Sequence, residues 1–564
     1  MHAPAPNASC RGAWLRLLVL ALLLPGLVQA AALPQLRRQG DATQLIVDGQ
    51  PYLVRGGELG NSSAEPGYLH PYWPKLRALN LNTLVAPVHW NLLEPEEGRF
   101  DFATVDGLLA DARANGMHLV LLWFGSWKNS MSCYAPGWVK RDTARFPRAR
   151  DADGTSLEIL TPFEPANRAA DTHAFATLMR HLREVDGQHT VILVQVENEI
   201  GMIPDARDHG AAADRAWAAP VPQALMDALV QHRDQLAPEL SAVWAAAGSR
   251  HAGSWTEVFG TGAAAEEVFM AWHFARYVDE VAAAGKKELA LPMYANAALI
   301  RPGYQPGQYP SAGPLPHLID VWRAGAPALD FIAPDIYFPD FVRWTDLYTR
   351  SGNPLFVPEA LRSVDATANA LYAFGARNAI GFSPFAVESS DGPGASYLAG
   401  GFDLIRQLAP LIAAHQGLHQ TLGFLQQAPG STQPQRQRLG QWIIDASFEH
   451  EAPPQLADGL AVVIGSERQG ATADTHGDAS PAGGLAIQLG DDEFLFAGIG
   501  VTLTFASTEP GWQAGLLEVE EGRFENGQWQ HLRWLDGDQT HQGRHVRLEP
   551  GRFTIQRVRL YRHH

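Results

Sequence analysis

Eight short runs of apolar residues recur between residues 52 and 388, and helix-like sequence separates one run from the next. Two of the separating segments, 102–116 and 171–187, have helical periodicity and end at a glycine, which commonly closes a helix. Eight strands that are each followed by helical sequence predict a (β/α)8 TIM barrel, an α/β fold, instead of an open doubly wound sheet. The predicted strands are 52–59, 82–90, 118–125, 190–197, 291–297, 330–338, 354–360 and 379–388.

The segment between the fourth and fifth predicted strands is longer than one crossover requires. It contains two helix-like stretches, residues 221–240 and 266–288. We therefore expect an insertion here that roofs one side of the barrel mouth.

The sequence changes character at about Leu418. Short alternating runs follow, separated by Gly, Pro, Asn and Asp, and this pattern predicts an antiparallel β-sandwich. The expected organisation is a signal peptide over residues 1–30, a catalytic barrel over 31–415 and a C-terminal β-sandwich domain over 416–564. The pattern leaves open whether the last domain binds sugar or packs on the barrel, and it favours packing.

The N-terminal segment has the features of a secretory signal peptide. Arg11 and Arg16 precede the apolar stretch LLVLALLLPGLVQA, which is short for a membrane span and ends in small residues. Cleavage near Ala30 predicts an exported protein, periplasmic or secreted. It removes Cys10 and leaves Cys133 alone, so that no disulfide within the chain is expected.

Charge and composition exclude several classes of partner. The chain has 43 Lys and Arg against 60 Asp and Glu and no long basic run, which argues against nucleic acid and anionic membranes as partners. The histidines are scattered and HExxH is missing, so we expect no metal and no cofactor. The 16 Trp and 13 Tyr include rings that could stack on an oligosaccharide substrate. The oligomeric state stays open.

Carboxylates follow two of the predicted strands. Glu199 follows the fourth strand in VQVENEIG, and Glu359 ends the seventh in PLFVPEA. Because catalytic groups of such barrels lie at the carboxyl ends of the strands, the two acids are expected to face one mouth, as glycoside hydrolysis requires. Glu197 lies two residues before Glu199 and is expected on the same side. Glu199 is nearer the exit turn, and Glu197 is interpreted as a hydrogen-bond partner.

Three stretches, VQVENEIG, LLEPEEGRFDF and LLWFGSWKNSMSCYAPGWVK, resemble glycoside hydrolase family 35 β-galactosidases, especially a bacterial branch with a C-terminal β domain. The resemblance implies that Glu199 is the acid/base and Glu359 the nucleophile. It implies that Asn198 binds the substrate 2-hydroxyl and that Tyr337 supports the nucleophile. The activity it implies is that of a retaining exo-β-galactosidase, acting on terminal galactose of plant cell-wall material such as xyloglucan oligosaccharides.

Further substrate contacts are predicted at strand ends. Trp90, Trp127 and Asn296 lie at or near such ends, while Glu58 ends the first strand and Glu388 the eighth. For both acids a purely structural role stays open. The stretch GGELGNSSA stands where typical family members carry a His-Tyr pair, so a β-glycosidase of arabinoside or glucoside preference is an alternative. A carbohydrate-binding protein without activity is the alternative from another class.

Overall fold

The structure is a computed structural model that describes residues 32–427, 431, 433–448 and 481–564. The predicted signal peptide lies outside these residues, as does one of the alternating runs that predict the β-sandwich, residues 459–467. Within the described part, none of the helices has the length and apolar character needed to span a membrane. The described chain begins with a small antiparallel sheet. Its strands are β1 (Gln35–Gln39), β2 (Ala42–Val47) and β3 (Gln50–Tyr52).

A closed barrel of eight parallel strands follows, and the predicted TIM barrel is confirmed. Each predicted strand forms one barrel strand, and neighbours in sequence are neighbours in the barrel. A short hairpin, β7 (Arg148–Arg150) with β8 (Ser156–Leu160), lies outside it. The barrel strands are β4 (Val54–Glu58), β5 (Thr83–His89), β6 (His118–Lys128), β9 (Val191–Asn198), β10 (Met293–Ala298), β11 (Phe331–Ile336), β12 (Val357–Ala360) and β13 (Gly381–Pro384).

Helices connect the strands. Five helices, α7 to α11, occupy the connection between β9 and β10, so the predicted insertion is present. The helices are α1 (Pro66–Leu69), α2 (Trp73–Ala78), α3 (Trp90–Leu93), α4 (Ala103–Ala114), α5 (Gly137–Arg141), α6 (Pro165–Val185), α7 (Ala211–Ala218), α8 (Gln223–Gln231), α9 (Pro238–Ala246), α10 (Trp255–Phe259), α11 (Ala263–Glu288), α12 (Ile319–Gly325), α13 (Phe341–Tyr348), α14 (Ala366–Arg377) and α15 (Gly392–His415).

The barrel interior is filled with apolar side chains, which include Val85, Leu122 and Phe356. Leu45 and Val47 of β2 belong to the same buried cluster, so the N-terminal sheet closes one end of the barrel. Catalytic groups of TIM barrels lie at the carboxyl ends of the strands. The packed interior therefore leaves that end of the barrel for the site.

The C-terminal region consists of two antiparallel sheets, as predicted. Both sheets contribute to one apolar core, for example with Phe496 from one and Trp442 from the other. The six-stranded sheet contains, in spatial order, β14 (Thr421–Leu425), β17 (Gly483–Gln488), β18 (Glu493–Ile499), β23 (Thr554–His563), β20 (Gln513–Glu525) and β21 (Gln528–Trp534). The four-stranded sheet contains β15 (Gln435–Leu439), β16 (Trp442–Ser447), β19 (Val501–Ser507) and β22 (Val546–Leu548).

The six-stranded sheet packs directly on barrel helix α14. Gly375 allows the close approach, because a Cβ atom at this position would lie 2.3 Å from the backbone oxygen of Leu422 in β14. Leu485 and Leu495 of the sheet share a buried apolar cluster with Leu371 of α14. The C-terminal sheets thus have the packing role that the sequence favoured.

Candidate active site

Four buried acids meet at the carboxyl ends of the barrel strands: Glu58 ends β4, Glu199 follows β9, Asp335 lies in β11 and Glu359 in β12. We call these four residues the carboxylate cluster. One carboxylate oxygen from each of Glu199, Asp335 and Glu359 lies within 4.8 Å of the other two. The structure therefore brings the two predicted catalytic acids together. Such spacing also suits a cation, but the cluster already has a positive neighbour in Lys128.

Tyr337 and Glu359 are in direct contact, as the family resemblance implies. The Tyr337 hydroxyl, just past the end of β11, donates a hydrogen bond to Oε1 of Glu359. Burial, reinforced by the charge of Glu359, raises the pKa of Tyr337 far above its usual value. Tyr337 therefore remains a donor, while Oε2 of Glu359 accepts no hydrogen bond from any protein group in the described residues.

Asn296 positions Glu199 through the backbone. Its Oδ1 atom accepts a 3.0 Å hydrogen bond from the Glu199 amide, and its Nδ2 atom donates a 2.5 Å bond to Oδ2 of Asp335. The predicted site residue Asn296 thus links two members of the carboxylate cluster, and both ends of its amide are occupied by protein.

The proton affinity of Glu199 is increased by its surroundings. Burial is the largest cause, and the negative charge of Glu359 adds to it, while Lys128 acts in the opposite direction. Together they raise the pKa of Glu199 to about 7. A carboxyl group with this pKa is partly protonated at neutral pH and can act as a general acid.

Glu197 lies on the other side of the strand from the mouth. Its backbone φ is 63° and that of Glu199 is 45°, so regular strand alternation ends before Glu199. The Glu197 carboxylate accepts a 2.7 Å hydrogen bond from the Trp127 amide, and the buried Asp171 of α6 lies nearby. The expectation that Glu197 and Glu199 face the same side was wrong, because that argument assumes extended backbone. Its interpretation as a hydrogen-bond partner agrees with this position.

Asn198 is fully buried between these two acids. Neither Oδ1 nor Nδ2 of its amide has a hydrogen-bond partner in the described residues. Buried amides are normally paired, and an unpaired one next to a cluster of polar groups indicates a ligand contact. This observation supports the predicted contact with substrate.

Trp90 and Trp127 do not reach the carboxylate cluster. Both rings are fully buried among apolar side chains. The Trp90 indole donates to Oε2 of Glu94 at 2.9 Å, and the Trp127 indole donates to the Leu160 carbonyl at 3.1 Å. Their indole N–H groups are already bonded and their faces are covered, so we withdraw both as substrate contacts.

Glu58 and Glu388 have different surroundings, although both were predicted as strand-end acids that contact substrate or have a structural role. Glu58 belongs to the carboxylate cluster, and burial together with Glu359 raises its pKa well above the usual range. The Glu388 carboxylate instead accepts hydrogen bonds from the Ser63 hydroxyl, at 2.7 Å, and from the Gly60 amide. Glu388 therefore orders the loop after β4.

Two site residues were missed by the sequence analysis, Lys128 and Asp335. Lys128 was missed because the third predicted strand ended at Gly125, whereas β6 continues to Lys128. Asp335 lies within the predicted sixth strand and pairs in register with Glu359. Its position two residues before Tyr337 was the available signal.

Two family profiles match the chain. The profile described as "Glycosyl hydrolases family 35" covers residues 44–239, from β2 into α9. The profile described as "Domain of unknown function (DUF5597)" covers residues 398–547, from α15 into β22.

Known proteins match over part of the chain. A β-galactosidase of Xanthomonas manihotis is 33% identical over 208 residues, which are 35% of this chain and 31% of that protein. The human "Beta-galactosidase-1-like protein 2" is 25% identical over 173 residues, 30% of this chain and 25% of that protein. The chain thus spans about a third or less of the length of these relatives.

The β-galactosidase structure from Rahnella sp. R3 superimposes with a TM-score of 0.45 at 17% identity, covering 64% of this chain and 57% of that one. The family resemblance itself is supported by the profile that spans the first four barrel strands, including Asn198 and Glu199. Residues 44–239 thus match the family 35 profile, and the resemblance seen in the sequence is confirmed over this range.

Proposed function

We propose that this protein is a retaining exo-β-galactosidase that removes terminal β-galactosyl residues by double displacement. The observation that carries the proposal is the proximity of Glu199 and Glu359, since one carboxylate oxygen of each lies within 4.8 Å of the other. Retaining glycosidases hold their two carboxyl groups about 5–5.5 Å apart, whereas inverting enzymes leave about 6.5–9.5 Å for a water molecule. The profile match and the β-galactosidase relatives support the reaction class.

In the first step, Glu359 attacks the anomeric carbon, and Glu199 gives its proton to the departing glycosidic oxygen. Tyr337 holds Oε1 of Glu359, which leaves the unpaired Oε2 for the new bond. The raised pKa of Glu199 supplies the required proton near neutral pH.

In the second step, Glu199 acts as a base. It takes a proton from a water molecule, whose oxygen attacks the anomeric carbon and releases Glu359. Two inversions give net retention. Asn198 is proposed to bind the sugar 2-hydroxyl, because its amide is unpaired beside the cluster.

The natural substrate is a finer proposal. We propose xyloglucan oligosaccharides from plant cell walls, on the basis of the resemblance to the bacterial branch with a C-terminal β domain. Export through a signal peptide over residues 1–30 agrees with a polymeric substrate outside the cell. The proposed domain extents are 31–415 for the barrel and 416–564 for the C-terminal domain.

Two other functions compete with this proposal. A β-glycosidase that prefers another sugar would use the same two acids. A carbohydrate-binding protein without activity would not need them, and the raised pKa of Glu199 opposite Glu359 argues against it.

A panel of 4-nitrophenyl glycosides tests the proposal. We expect turnover of the β-galactoside to exceed that of the β-glucoside and the α-arabinoside, and NMR should show β-galactose as the first product. Preference for another sugar would change the substrate assignment. Release of α-galactose would overturn the retaining mechanism, and turnover of none of the glycosides would favour the binding protein.

A further inference from the structure

Lys128 is a buried cation whose ammonium group lies 5.2 Å from the centre of the Phe124 ring but has no hydrogen-bonding partner in the described residues. It is the last residue of β6, is 5% exposed and lies in register with Asn198 of β9. Its ammonium group makes no hydrogen bond or ion pair with any residue that the structure describes. Lysines are almost never fully buried unless they are paired, because an ammonium group loses its hydration on burial. This position therefore calls for a partner outside the protein.

Unpaired acceptors share the mouth with Lys128. Oε1 of Glu58, Oδ1 of Asp335 and Oε2 of Glu359 are buried and accept from no protein donor in the described residues. The same acids, with Glu199, act electrostatically on Lys128; burial lowers its pKa, and their negative charges raise it by more. Unpaired donors and unpaired acceptors thus face one space without bonding to each other.

Hydroxyl groups satisfy both kinds of atom. A sugar hydroxyl accepts a hydrogen bond from an ammonium group and donates one to a carboxylate. A carboxylate on the sugar would add a fifth acid to a space where four acids of the protein already surround a single ammonium group, and like charges there are unfavourable. The mouth therefore suits a neutral sugar better than a uronic acid.

We propose that Lys128 is a specificity-determining residue that donates a hydrogen bond to a hydroxyl, other than the 2-hydroxyl, of the sugar whose glycosidic bond is broken, with Glu58 accepting from the same edge of that sugar. This inference rests on the proposed function, because it places the sugar between Lys128 and the two catalytic acids. A sugar that lacks this hydroxyl leaves Lys128 buried and unpaired.

Deoxy sugars combined with a Lys128 variant test the contact. The substrates are 4-nitrophenyl β-galactoside and its 3-, 4- and 6-deoxy analogues. The variant is Lys128→Met, which keeps an unbranched side chain one atom shorter and removes the ammonium group. We expect one deoxy analogue to lower kcat/KM of the unsubstituted enzyme by about 10- to 100-fold, the range for a lost hydrogen bond to a charged group. In Lys128→Met, kcat/KM for the parent substrate should fall by a similar factor. For that same deoxy analogue, kcat/KM of the variant should be no more than about threefold below its value for the parent substrate.

Lys287→Met is the matched control, since Lys287 is exposed near the end of α11. It should leave unchanged the ratio of kcat/KM between the parent substrate and each deoxy analogue. Near-UV circular dichroism shows whether Lys128→Met is folded, and Lys128→Arg serves as a second variant. Because Arg keeps the charge but changes the donor geometry, the loss in kcat/KM on removing that hydroxyl should still be smaller in Lys128→Arg than in the unsubstituted enzyme.

Additive losses for all three analogues would overturn the contact, because they would mean that Lys128 acts only through its charge or through packing. In that case the pH profile of Lys128→Met should shift without any change in hydroxyl selectivity. If the enzyme prefers a different glycoside, the deoxy series of that sugar is used, so an error in the sugar assignment is separated from an error about Lys128. Turnover of no glycoside would overturn both proposals.

Discussion

The proton on Glu199 controls the alkaline side of the proposed reaction. Its pKa, raised to about 7 by burial and by Glu359, is the point above which the general acid is lost. We expect kcat/KM for substrates with poor leaving groups, such as galactosyl oligosaccharides, to fall tenfold per pH unit above about pH 7. A substrate with an activated leaving group, such as a dinitrophenyl galactoside, should lack this decline. An alkaline limb shared by both substrates would contradict the role of Glu199.

Replacing Glu199 should affect substrates with poor and with activated leaving groups differently at a single pH. Glu199→Ala should lower kcat/KM for poor leaving groups by about 10²- to 10⁴-fold, the usual contribution of general acid catalysis, and activated aryl galactosides much less. Steady-state kinetics on a series of leaving groups measures this. Glu197→Gln is the neighbouring comparison and should show no dependence on the leaving group. Equal losses for all substrates in Glu199→Ala would remove the acid/base assignment.

Glu359 should become covalently bound to the sugar. A 2-deoxy-2-fluoro galactoside with a good leaving group slows both steps, but its leaving group lets the first proceed, so that the glycosyl-enzyme accumulates. Peptide mapping by mass spectrometry should find the label on PLFVPEA. A label on Asp335, which lies in register with Glu359 on the next strand, would transfer the nucleophile assignment to Asp335.

The buried amide of Asn198 gives a prediction that distinguishes binding from catalysis. A hydrogen bond to the 2-hydroxyl that strengthens in the transition state supports kcat as well as binding. Asn198→Ala should therefore lower kcat and kcat/KM together, by at least about tenfold. In this variant, kcat/KM for the 2-deoxy galactoside should be only slightly lower than that for the parent galactoside. An increase in KM with unchanged kcat would limit Asn198 to ground-state binding.

Residue positions were predictable where strand register alone determines them. Glu58, Asn296 and Glu359 lie at or near strand ends, as predicted, because the carboxyl end of a parallel strand fixes where its last side chains lie. Tyr337, which the family resemblance indicated, lies just past β11. The left-handed backbone at Glu197 was not predictable, since Glu has no intrinsic preference for positive φ and the surrounding structure must hold it there.

At the scale of elements, apolar runs located all eight barrel strands but not all of their ends. Strand β6 continues beyond its apolar run into polar residues, and this extension brings Lys128 to the site. Trp90 follows β5 and Trp127 lies near the end of β6, yet their rings turn into the layer between barrel and helices. A large ring near a strand end packs in either direction, and only the tertiary contacts decide which.

The interface between α14 and β14 depends on Gly375. Gly375→Ala places a Cβ atom 2.3 Å from the Leu422 oxygen, so either the helix or the sheet must move. We expect a loss of about 1–3 kcal/mol in the free energy of unfolding, as for other overpacked positions, despite the higher helix propensity of Ala.

Gly394→Ala in α15 is the control for this prediction. A Cβ atom at Gly394 meets nothing within 4 Å, so this variant should be neutral or slightly stabilised. Urea denaturation measures both variants. Equal stability of the two would show that the interface adapts without cost.

At the scale of the whole molecule, barrel and C-terminal sheets share buried apolar contacts. Leu485 and Leu495 of the six-stranded sheet belong to the same cluster as the barrel helices. We therefore expect the protein to unfold in one calorimetric transition, because exposing the sheet also exposes α14. Two separated transitions in differential scanning calorimetry would show that the sandwich folds on its own.

The N-terminal sheet closes the end of the barrel opposite the candidate active site. Because Leu45 and Val47 fill that end, no molecule can pass through the barrel. Substrate and product must therefore use the same opening, at the carboxyl ends of the strands. In the proposed reaction, a released galactose must therefore leave before the next chain end can bind. We therefore expect the proposed enzyme to remove one galactose unit per binding event without moving along a polymer, and galactose to act as a competitive inhibitor.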